Sequence, residues 1–375
     1  MNNKIKSILF IVTILFALLV LPNISNAATE VTDEESLLSA ISSSESVILK
    51  NDITVTKPIV IQKEITIDGN GHSVVGSEDW TSTSGNQTMF TAQFSEGKLT
   101  LKNITLKNGP KYGVQSYDGA TVILNDVSIT GFKYGGVLAN GGNVEVIDLH
   151  LGYNGTDSNN GIEIDKGASA TNNPTLIMNG TLTSDVNENV VRAAENGHLT
   201  EFTITNTENT TNKVVIAGGN VVLTDENNNV ISESAVPEKA TPNVDEKNAV
   251  VTLITGSKTN KIVVTVGETI TEELLKSHIE LEENYVIDGF YTEAEYINKF
   301  DFSTKIEKDI TIYAKISEVE IENGNEDEEN SVTEEVEEKD ETPKTGIESY
   351  LGLALITITI SAIFIILSRK KSIKE

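Results

Sequence analysis

The sequence predicts an all-β protein, and its largest part, residues 28–236, has the repeats of a parallel β-helix. Three observations favour this fold: glycines recur at a nearly constant spacing, a second marker shifts together with them, and a short third strand closes each repeat. Successive glycines are 22, 23, 25, 30 and 22 residues apart, and most precede a segment in which apolar and polar residues alternate. These glycines are Gly97, Gly119, Gly142, Gly167, Gly197 and Gly219.

The second marker is a column of polar residues at the bend between two strands of each repeat. Its spacings are 23, 22, 31 and 22 residues, and the long step falls at the insertion Ser169–Asn173, which also lengthens the glycine spacing. Asn and Asp tolerate the left-handed conformation that such a bend requires. We therefore expect a structural ladder of stacked side chains made of Asn103, Asp126, Asp148 and Asn179, with Glu201 as its divergent last member.

A short third strand closes each repeat, as in Gly113-Val114-Gln115, and the last of these strands is Lys213-Val214-Val215. Three short strands in 22 or more residues form a coil that can stack on the previous coil at about 4.8 Å. At the N-terminal end, Asp33–Ile41 predicts a short amphipathic helix with acidic residues in its first turn. We expect this helix to cap the first coil, whose open edge would otherwise invite aggregation.

The stretch Ile67-Asp68-Gly69-Asn70-Gly71-His72 follows the first strands. Together with the helical cap and the repeats, it resembles the pectin-lyase-like right-handed β-helix superfamily, in particular its adhesive, cell-surface branch. The resemblance covers roughly Thr29–Ser234 and implies a right-handed coil. We expect loops such as Gly76–Thr91 to carry ligand specificity.

A second β-rich module is predicted at residues 249–316, after a linker at 237–248 that contains two prolines. Its aromatic residues are predicted to form the core of a small domain. The segments Gly289-Phe290-Tyr291, Phe300-Asp301-Phe302 and Ile312-Tyr313-Ala314-Lys315 resemble the Listeria–Bacteroides repeat, a module related to the β-grasp fold. That resemblance implies a spacer or interaction role without catalysis.

Residues 1–27 have the pattern of a secretory signal peptide. Lys4 and Lys6 precede the apolar stretch Ile8–Leu21, and Ser25-Asn26-Ala27 supplies small residues for cleavage between Ala27 and Ala28. The alternative is an uncleaved N-terminal anchor.

The C-terminal residues have the three parts of a surface anchor. The motif Thr342-Pro343-Lys344-Thr345-Gly346 is followed, within residues 347–375, by the uncharged stretch Tyr350–Leu367 and a basic tail. Eighteen uncharged residues are just long enough for a transmembrane helix, and basic residues remain on the cytoplasmic side. The motif resembles the sortase sorting signal of Gram-positive bacteria, with Thr342 in place of the usual Leu. It implies that a sortase joins Thr345 to peptidoglycan; the alternative is a plain membrane anchor.

The charge of the chain excludes one class of partner. Its 28 basic and 56 acidic residues give a net charge of −28, which would repel nucleic acid. Within the segment 317–341, residues Glu318–Glu341 contain 13 acidic residues and one Lys, so this segment is predicted to be a disordered, extended spacer. The chain has no Cys and therefore no disulfide.

Polysaccharide lyases of the β-helix superfamily use carboxylates for Ca²⁺ and a basic residue that removes a proton. Arg192 is the only arginine of the predicted extracellular part, and Glu163 and Asp165 lie one coil earlier. These three residues are weak catalytic candidates, and the alternative is a surface ion pair. No metal-ligand spacing joins the histidines, so no cofactor is predicted, although the carboxylates Glu145, Asp148 and Glu163 could bind Ca²⁺ weakly.

The favoured function is therefore adhesion at the surface of a Gram-positive bacterium, by binding an extracellular glycan or protein without catalysis. The first alternative is a Ca²⁺-dependent polysaccharide lyase of the pectate type. The second is an inert wall or spacer protein.

Overall fold

The computed structural model describes residues 28–155 and 161–319. The predicted signal peptide, the acidic residues 320–341, the motif at 342–346 and the predicted membrane helix at 350–367 lie outside these ranges. Neither helix within the described residues has the length and apolarity that a bilayer span needs.

The described residues form 24 strands and two short helices, α1 (Glu34–Ser43) and α2 (Glu272–Ser277). The strands are β1 Thr29–Val31, β2 Ser46–Leu49, β3 Ile53–Val55, β4 Ile59–Ile61, β5 Glu64–Asp68, β6 Ser73–Gly76, β7 Phe90–Gln93, β8 Lys98–Gly109, β9 Tyr112–Tyr117, β10 Thr121–Phe132, β11 Gly135–Asn140, β12 Asn143–Leu151, β13 Ile162–Asp165, β14 Thr175–Ser184, β15 Val191–Ala193, β16 Glu201–Asn206, β17 Val214–Ala217, β18 Asn220–Thr224, β19 Val230–Ala235, β20 Thr241–Val244, β21 Asn248–Thr255, β22 Lys258–Thr265, β23 Tyr285–Tyr291 and β24 Ile310–Glu318.

Two parallel sheets contain the predicted repeats. The long sheet has eleven strands in the order β1-β2-β5-β8-β10-β12-β14-β16-β20, with β3 and β6 beside it. The short sheet has six strands in the order β15-β13-β11-β9-β7-β4. Successive repeats pair in parallel, as where Val122 of β10 lies between Leu99 of β8 and Val144 of β12. The protein is therefore all-β, and its parallel sheets are compatible with a β-helix.

Strands β8 and β10 bend in the middle at Asn103 and Asp126, which have φ values of 48° and 58°, and each has a second left-handed residue near its end, Asn108 or Gly131. The first half of β8 pairs with β5 and the second half pairs with β6, so the bend gives the long sheet two faces. Asp148 of β12 follows Asp126 in register. The left-handed ladder was expected to continue at Asp148 and Asn179, but neither is among the residues with positive φ in the described part of the chain.

The ladder ends because the pairing of β12 with β14 is irregular after Val146. Gly180 approaches the carbonyl oxygen of Ile147 so closely that a Cβ there would lie 2.0 Å from it. Beside it, the Asn179 side chain donates to Glu145 at 2.8 Å and accepts from the Thr207 hydroxyl at 2.7 Å. Asn179 therefore joins neighbouring coils through hydrogen bonds instead of through a left-handed bend.

Alternate residues of every coil point inward and form one continuous core. On the short sheet, the inward column is almost fully buried and consists of Ile59, Phe90, Val114, Val137, Ile162 and Val191. Burying such side chains contributes roughly 25 cal/mol per Å² of apolar surface, which makes the stacked columns the main source of stability.

Helix α1 packs against β1, β2 and β3 as the predicted cap of the first coil. Its N-cap, Asp33, accepts from the backbone N–H of Ser36 at 2.8 Å, and the Ser36 hydroxyl accepts from the Asp33 N–H at 3.1 Å. This reciprocal pair satisfies two free donors of the first helical turn. Leu37, Ala40 and Ile41 are the buried residues of the helix.

The C-terminal end of the repeat region differs from the expectation. The segments 213–215 and 221–223 were predicted to be strands of further parallel coils, but β17, β18 and β19 form an antiparallel meander. Gly218 and Gly219 have φ values of 58° and 77°, which suits a tight two-residue hairpin turn. Gly219 is therefore a hairpin glycine, although its spacing matches that of the coil glycines.

The predicted linker at 237–248 contains β20, whose second residue is Pro242 and which extends the long sheet by pairing in parallel with β16. The meander also joins the second module, because Ala217 of β17 pairs with Asn248 of β21. A seven-stranded sheet thus runs through both parts in the order β19-β18-β17-β21-β24-β23, with β22 paired to β21. As predicted, Phe290 belongs to the core of this module, together with Leu253, Ile262 and Ile312.

One aspartate fixes the inserted loop of the fourth repeat to a turn more than 50 residues away in the sequence. A single Asp118 carboxylate oxygen accepts hydrogen bonds from the backbone N–H groups of Thr171 and Asn172 at 2.7 and 3.0 Å, and from both side chains at 2.9 Å. Partial burial acts to raise the pKa of Asp118, but these hydrogen bonds outweigh it and lower the pKa from 3.8 to about 2.

Asp118→Asn should lower the free energy of unfolding at pH 7 by about 1 kcal/mol, a figure that allows for solvent screening of this partly exposed group. A depressed folded-state pKa stabilises above the unfolded pKa of 3.8, and the stabilisation is lost as pH falls through about 2. Melting temperatures measured between pH 7 and pH 2 should therefore converge at the acid end. Asp126→Asn, at an exposed left-handed aspartate, is the matched control, and an equal effect of both substitutions would contradict the account.

Candidate functional site

The outer surface of the short sheet carries two columns of side chains that alternate with the core residues. The first column runs in register along the coils and consists of Val60, Thr91, Gln115, Leu138, Glu163 and Arg192. The second column, two residues further along each strand, consists of Gln62, Gln93, Tyr117, Asn140 and Asp165. Hydroxyl and amide groups dominate the second column, whereas the first also contains two apolar and two charged side chains.

The middle parts of both columns form the floor of a groove with a volume of about 420 Å³, through Thr91, Gln115, Leu138, Gln93, Tyr117, Asn140 and Asp165. The loop between β6 and β7 forms a wall through Gly85, Asn86 and Thr88, and Lys111 and Tyr134, which directly precede β9 and β11, line the same edge. The predicted specificity loop at 76–91 therefore lies beside the groove. Concave sites with a few convergent polar groups are the usual places for ligand binding.

Hydrogen bonds hold the loop wall in place. The Trp80 indole N–H donates to Gln87 at 2.7 Å, and the Asn86 amide donates to the Thr91 hydroxyl at 3.1 Å. The ammonium group of Lys111, which precedes the next strand, donates to the Gly85 carbonyl at 2.7 Å. The groove is thus already formed without a ligand, which lowers the entropic cost of binding.

The candidates Glu163 and Arg192 lie directly opposite each other on β13 and β15. Arg192 Nη2 donates to Glu163 Oε1 at 3.0 Å, and the Tyr112 hydroxyl donates to Glu163 Oε2 at 2.5 Å. Tyr112 reaches this carboxylate across β11, where the residue opposite it is Gly135, which has no side chain. Glu163 is only 7% exposed. The ion pair therefore joins a buried carboxylate to a half-buried guanidinium, unlike the surface pair considered as the alternative.

Asp165 lies two residues after Glu163 and lines the groove. Burial raises the pKa of Asp165, and the nearby charge of Glu163 raises it further. The Lys166 N–H, which donates to Asp165 at 2.6 Å, the Asn196 amide and Arg192 oppose this rise. The structure therefore brings all three catalytic candidates together, with a perturbed carboxyl group at the groove.

The carboxylates considered for weak Ca²⁺ binding do not share a site. Glu145 lies on the long sheet, where its carboxylate accepts a hydrogen bond from Asn179. Asp148 lies three residues further along the same strand, β12, and is exposed. Glu163 lies on the short sheet and is held by Arg192. Within residues 28–155 and 161–319, no cluster of three His, Cys, Asp or Glu side chains could hold a metal ion.

Comparison with other proteins adds no family assignment. No family model and no curated protein matches this chain.

The aromatic residues at the groove were not predicted as functional. Tyr112 and Tyr134 meet edge to face with ring centroids 6.1 Å apart, and Phe94 and Tyr117 do so at 6.0 Å. Tyr117 lies three positions after the inward Val114. Since successive side chains of a strand alternate between its two faces, this odd step places Tyr117 on the outer surface once the strand is known. The position of Phe94, just after a strand, has no such periodic signal.

Proposed function

We propose that this chain is an exported protein of the Gram-positive cell surface that binds an extracellular glycan or protein in the groove of the short sheet. In this proposal the repeats form a right-handed β-helix of the pectin-lyase-like type and display the groove away from the cell. The observation that carries the proposal is a preformed groove lined mainly by amide, hydroxyl and tyrosine side chains.

Binding without catalysis is favoured because Arg192 is engaged in an ion pair with a buried carboxylate. A lyase of this fold needs a basic residue that is free to take a proton from its substrate. Arg192 instead donates to Glu163, and the described residues hold no carboxylate cluster for Ca²⁺. Asp165 favours the alternative of a polysaccharide lyase, since a carboxyl group with a raised pKa in a cleft is common at active sites.

The two functions predict different results in one pair of measurements. The purified full chain, kept in mild detergent, should bind immobilised glycans or extracellular proteins and release them unchanged. With polygalacturonate and Ca²⁺ it should produce no rise in the ultraviolet absorbance of an unsaturated product. Product formation that is lost in Asp165→Asn would replace the proposal by the lyase function, and a failure to bind any ligand would favour an inert spacer.

Surface attachment is part of the proposal and rests on the signal peptide with its Ala27–Ala28 cleavage site and on the motif at 342–346. Sortase would join Thr345 to peptidoglycan, and 350–367 would hold the chain in the membrane until then. Thr345→Ala should move the protein from the muramidase-released wall fraction to the membrane fraction. The same distribution for both proteins would indicate a plain membrane anchor.

The second module is proposed to act as a spacer of the Listeria–Bacteroides type with a β-grasp-like arrangement. Its sheet places the parallel pair β21 and β24 beside the antiparallel neighbours β22 and β23. Its aromatic residues Phe290, Phe300 and Phe302 pack on one another edge to face, which supports a structural role for them.

A further inference from the structure

One left-handed residue follows each of three neighbouring strands of the short sheet. Phe94, Asp118 and Gly141 come directly after β7, β9 and β11, and their φ values are 61°, 46° and 65°. Their backbones stack, because the Phe94 N–H donates to the Tyr117 carbonyl and the Asp118 N–H donates to the Asn140 carbonyl. The turn at this position is therefore left-handed in three successive coils.

Gly and Asp suit this conformation, whereas Phe does not. The bulky side chain of a left-handed phenylalanine crowds its own backbone, which costs free energy that Asn or Gly would avoid. Burial does not repay this cost fully, because Phe94 remains 44% exposed. A strained residue that gains little from packing points to a role outside folding.

The left-handed turn places an aromatic ring beside the groove, because Phe94 directly follows Gln93, which lines the groove. The Phe94 ring lies edge to face with Tyr117 at 6.0 Å and an interplanar angle of 69°. Tyr117 lines the groove together with the neighbouring amides of Gln93 and Asn140. An exposed apolar ring thus lies next to several neutral hydrogen-bonding groups.

We propose that Phe94, supported by Tyr117, is a stacking platform for one sugar ring of a neutral glycan chain. The apolar C–H face of a pyranose ring can cover the aromatic ring, while its hydroxyl groups bond to Gln93 and Asn140. A neutral glycan fits because the charged groups that line the groove are Lys111 and Asp165, which have opposite signs. This inference rests on the proposed function and specifies its ligand class and one specificity-determining residue.

The substitution Phe94→Asn tests the platform without strain of its own, since Asn tolerates the left-handed region. The full chain in mild detergent is titrated calorimetrically with cellohexaose, mannohexaose, xylohexaose and chitohexaose. Polygalacturonate serves as the charged comparison. We expect Phe94→Asn to weaken binding of the preferred neutral oligosaccharide about tenfold or more, as expected for the loss of an aromatic contact. Phe94→Trp should retain binding.

Stability provides a second measurement that needs no ligand. If Phe94 is strained, Phe94→Asn should raise the melting temperature measured by circular dichroism while it weakens binding. Tyr153→Asn is the matched control, because Tyr153 is a 62% exposed aromatic residue that, unlike Phe94, has no ring contact with Tyr117 of the groove. This control should leave glycan binding unchanged.

The outcomes separate this inference from the proposed function. If the wild-type chain binds a neutral glycan and Phe94→Asn binds it equally well, the platform is wrong and the proposed function stands. A melting temperature that falls in Phe94→Asn would overturn the strain argument. Binding of polygalacturonate or of a protein alone would overturn the neutral-glycan assignment, and the absence of any binding would overturn both proposals.

Discussion

Arg192→Met should lower the free energy of unfolding by about 2 kcal/mol, less than the roughly 3–5 kcal/mol of a fully buried ion pair, because the Arg192 side chain is 26% exposed. The substitution keeps much of the apolar length of the side chain but removes the cation that faces the Glu163 carboxylate. Tyr112 still donates to Glu163, yet a neutral hydroxyl does not replace the positive charge beside a residue that is 7% exposed. Denaturant unfolding followed by circular dichroism measures the loss.

A double variant separates the lost ion pair from general damage. Combining Arg192→Met with Glu163→Gln removes the uncompensated charge, so the double variant should be more stable than Arg192→Met alone. Lys50→Met is the matched control, because Lys50 pairs with Glu30 at 3.0 Å in an exposed bridge worth less than about 1 kcal/mol. Equal losses in Arg192→Met and Lys50→Met would contradict the importance of burial.

Phe132→Ala should cost about 4 kcal/mol, because it empties the space of a fully buried ring. Phe132 is the last residue of β10 and is 1% exposed. Its ring occupies the space beside two glycines of the neighbouring coil. A Cβ on Gly109 would come within 2.7 Å of that ring, and a Cβ on Gly113 within 3.2 Å. The ring is therefore tightly packed against the backbone of that coil, and its removal leaves a cavity there.

Unfolding of Phe132→Ala is compared with that of Phe132→Leu and Tyr153→Ala. Leu fills part of the space and should cause a smaller loss. Tyr153→Ala removes an aromatic ring that is 62% exposed and should have little effect. A loss in Phe132→Ala no larger than that in Tyr153→Ala would show that the ring is not part of a packed core.

The parallel repeats and the proximity of Glu163 to Arg192 could be predicted from the sequence because both depend on a period. Once the coil length is known, residues one period apart must be neighbours on adjacent coils, as the pairing of Glu163 with Arg192 shows. The left-handed bends at Asn103 and Asp126 follow from the residue types that tolerate them. These features are local or periodic, so one sequence contains enough information about them.

The end of the repeats could not be predicted in the same way. Gly219 keeps the period of the coil glycines, but the preceding Gly218 allows a two-residue hairpin, and the chain turns back as β18. The groove was also missed, because its wall comes from the loop before β7, and no period positions that loop. Glu201 was aligned with Asn179 at the bend of the repeat. In the structure Thr203 pairs with Thr175, the first residue of β14, so Glu201 lies at the start of β16 and well before any bend.

The proline of β20 determines where strand addition to the long sheet stops. Thr241 donates its N–H to the Thr200 carbonyl at 2.8 Å, and alternate residues of a parallel strand direct their backbone groups to opposite sides. The backbone of Pro242 therefore faces the free edge, where a proline ring replaces the N–H that an incoming strand would need. A second copy of the chain that approaches this edge finds an interrupted template, so end-to-end joining of copies into fibrils is disfavoured.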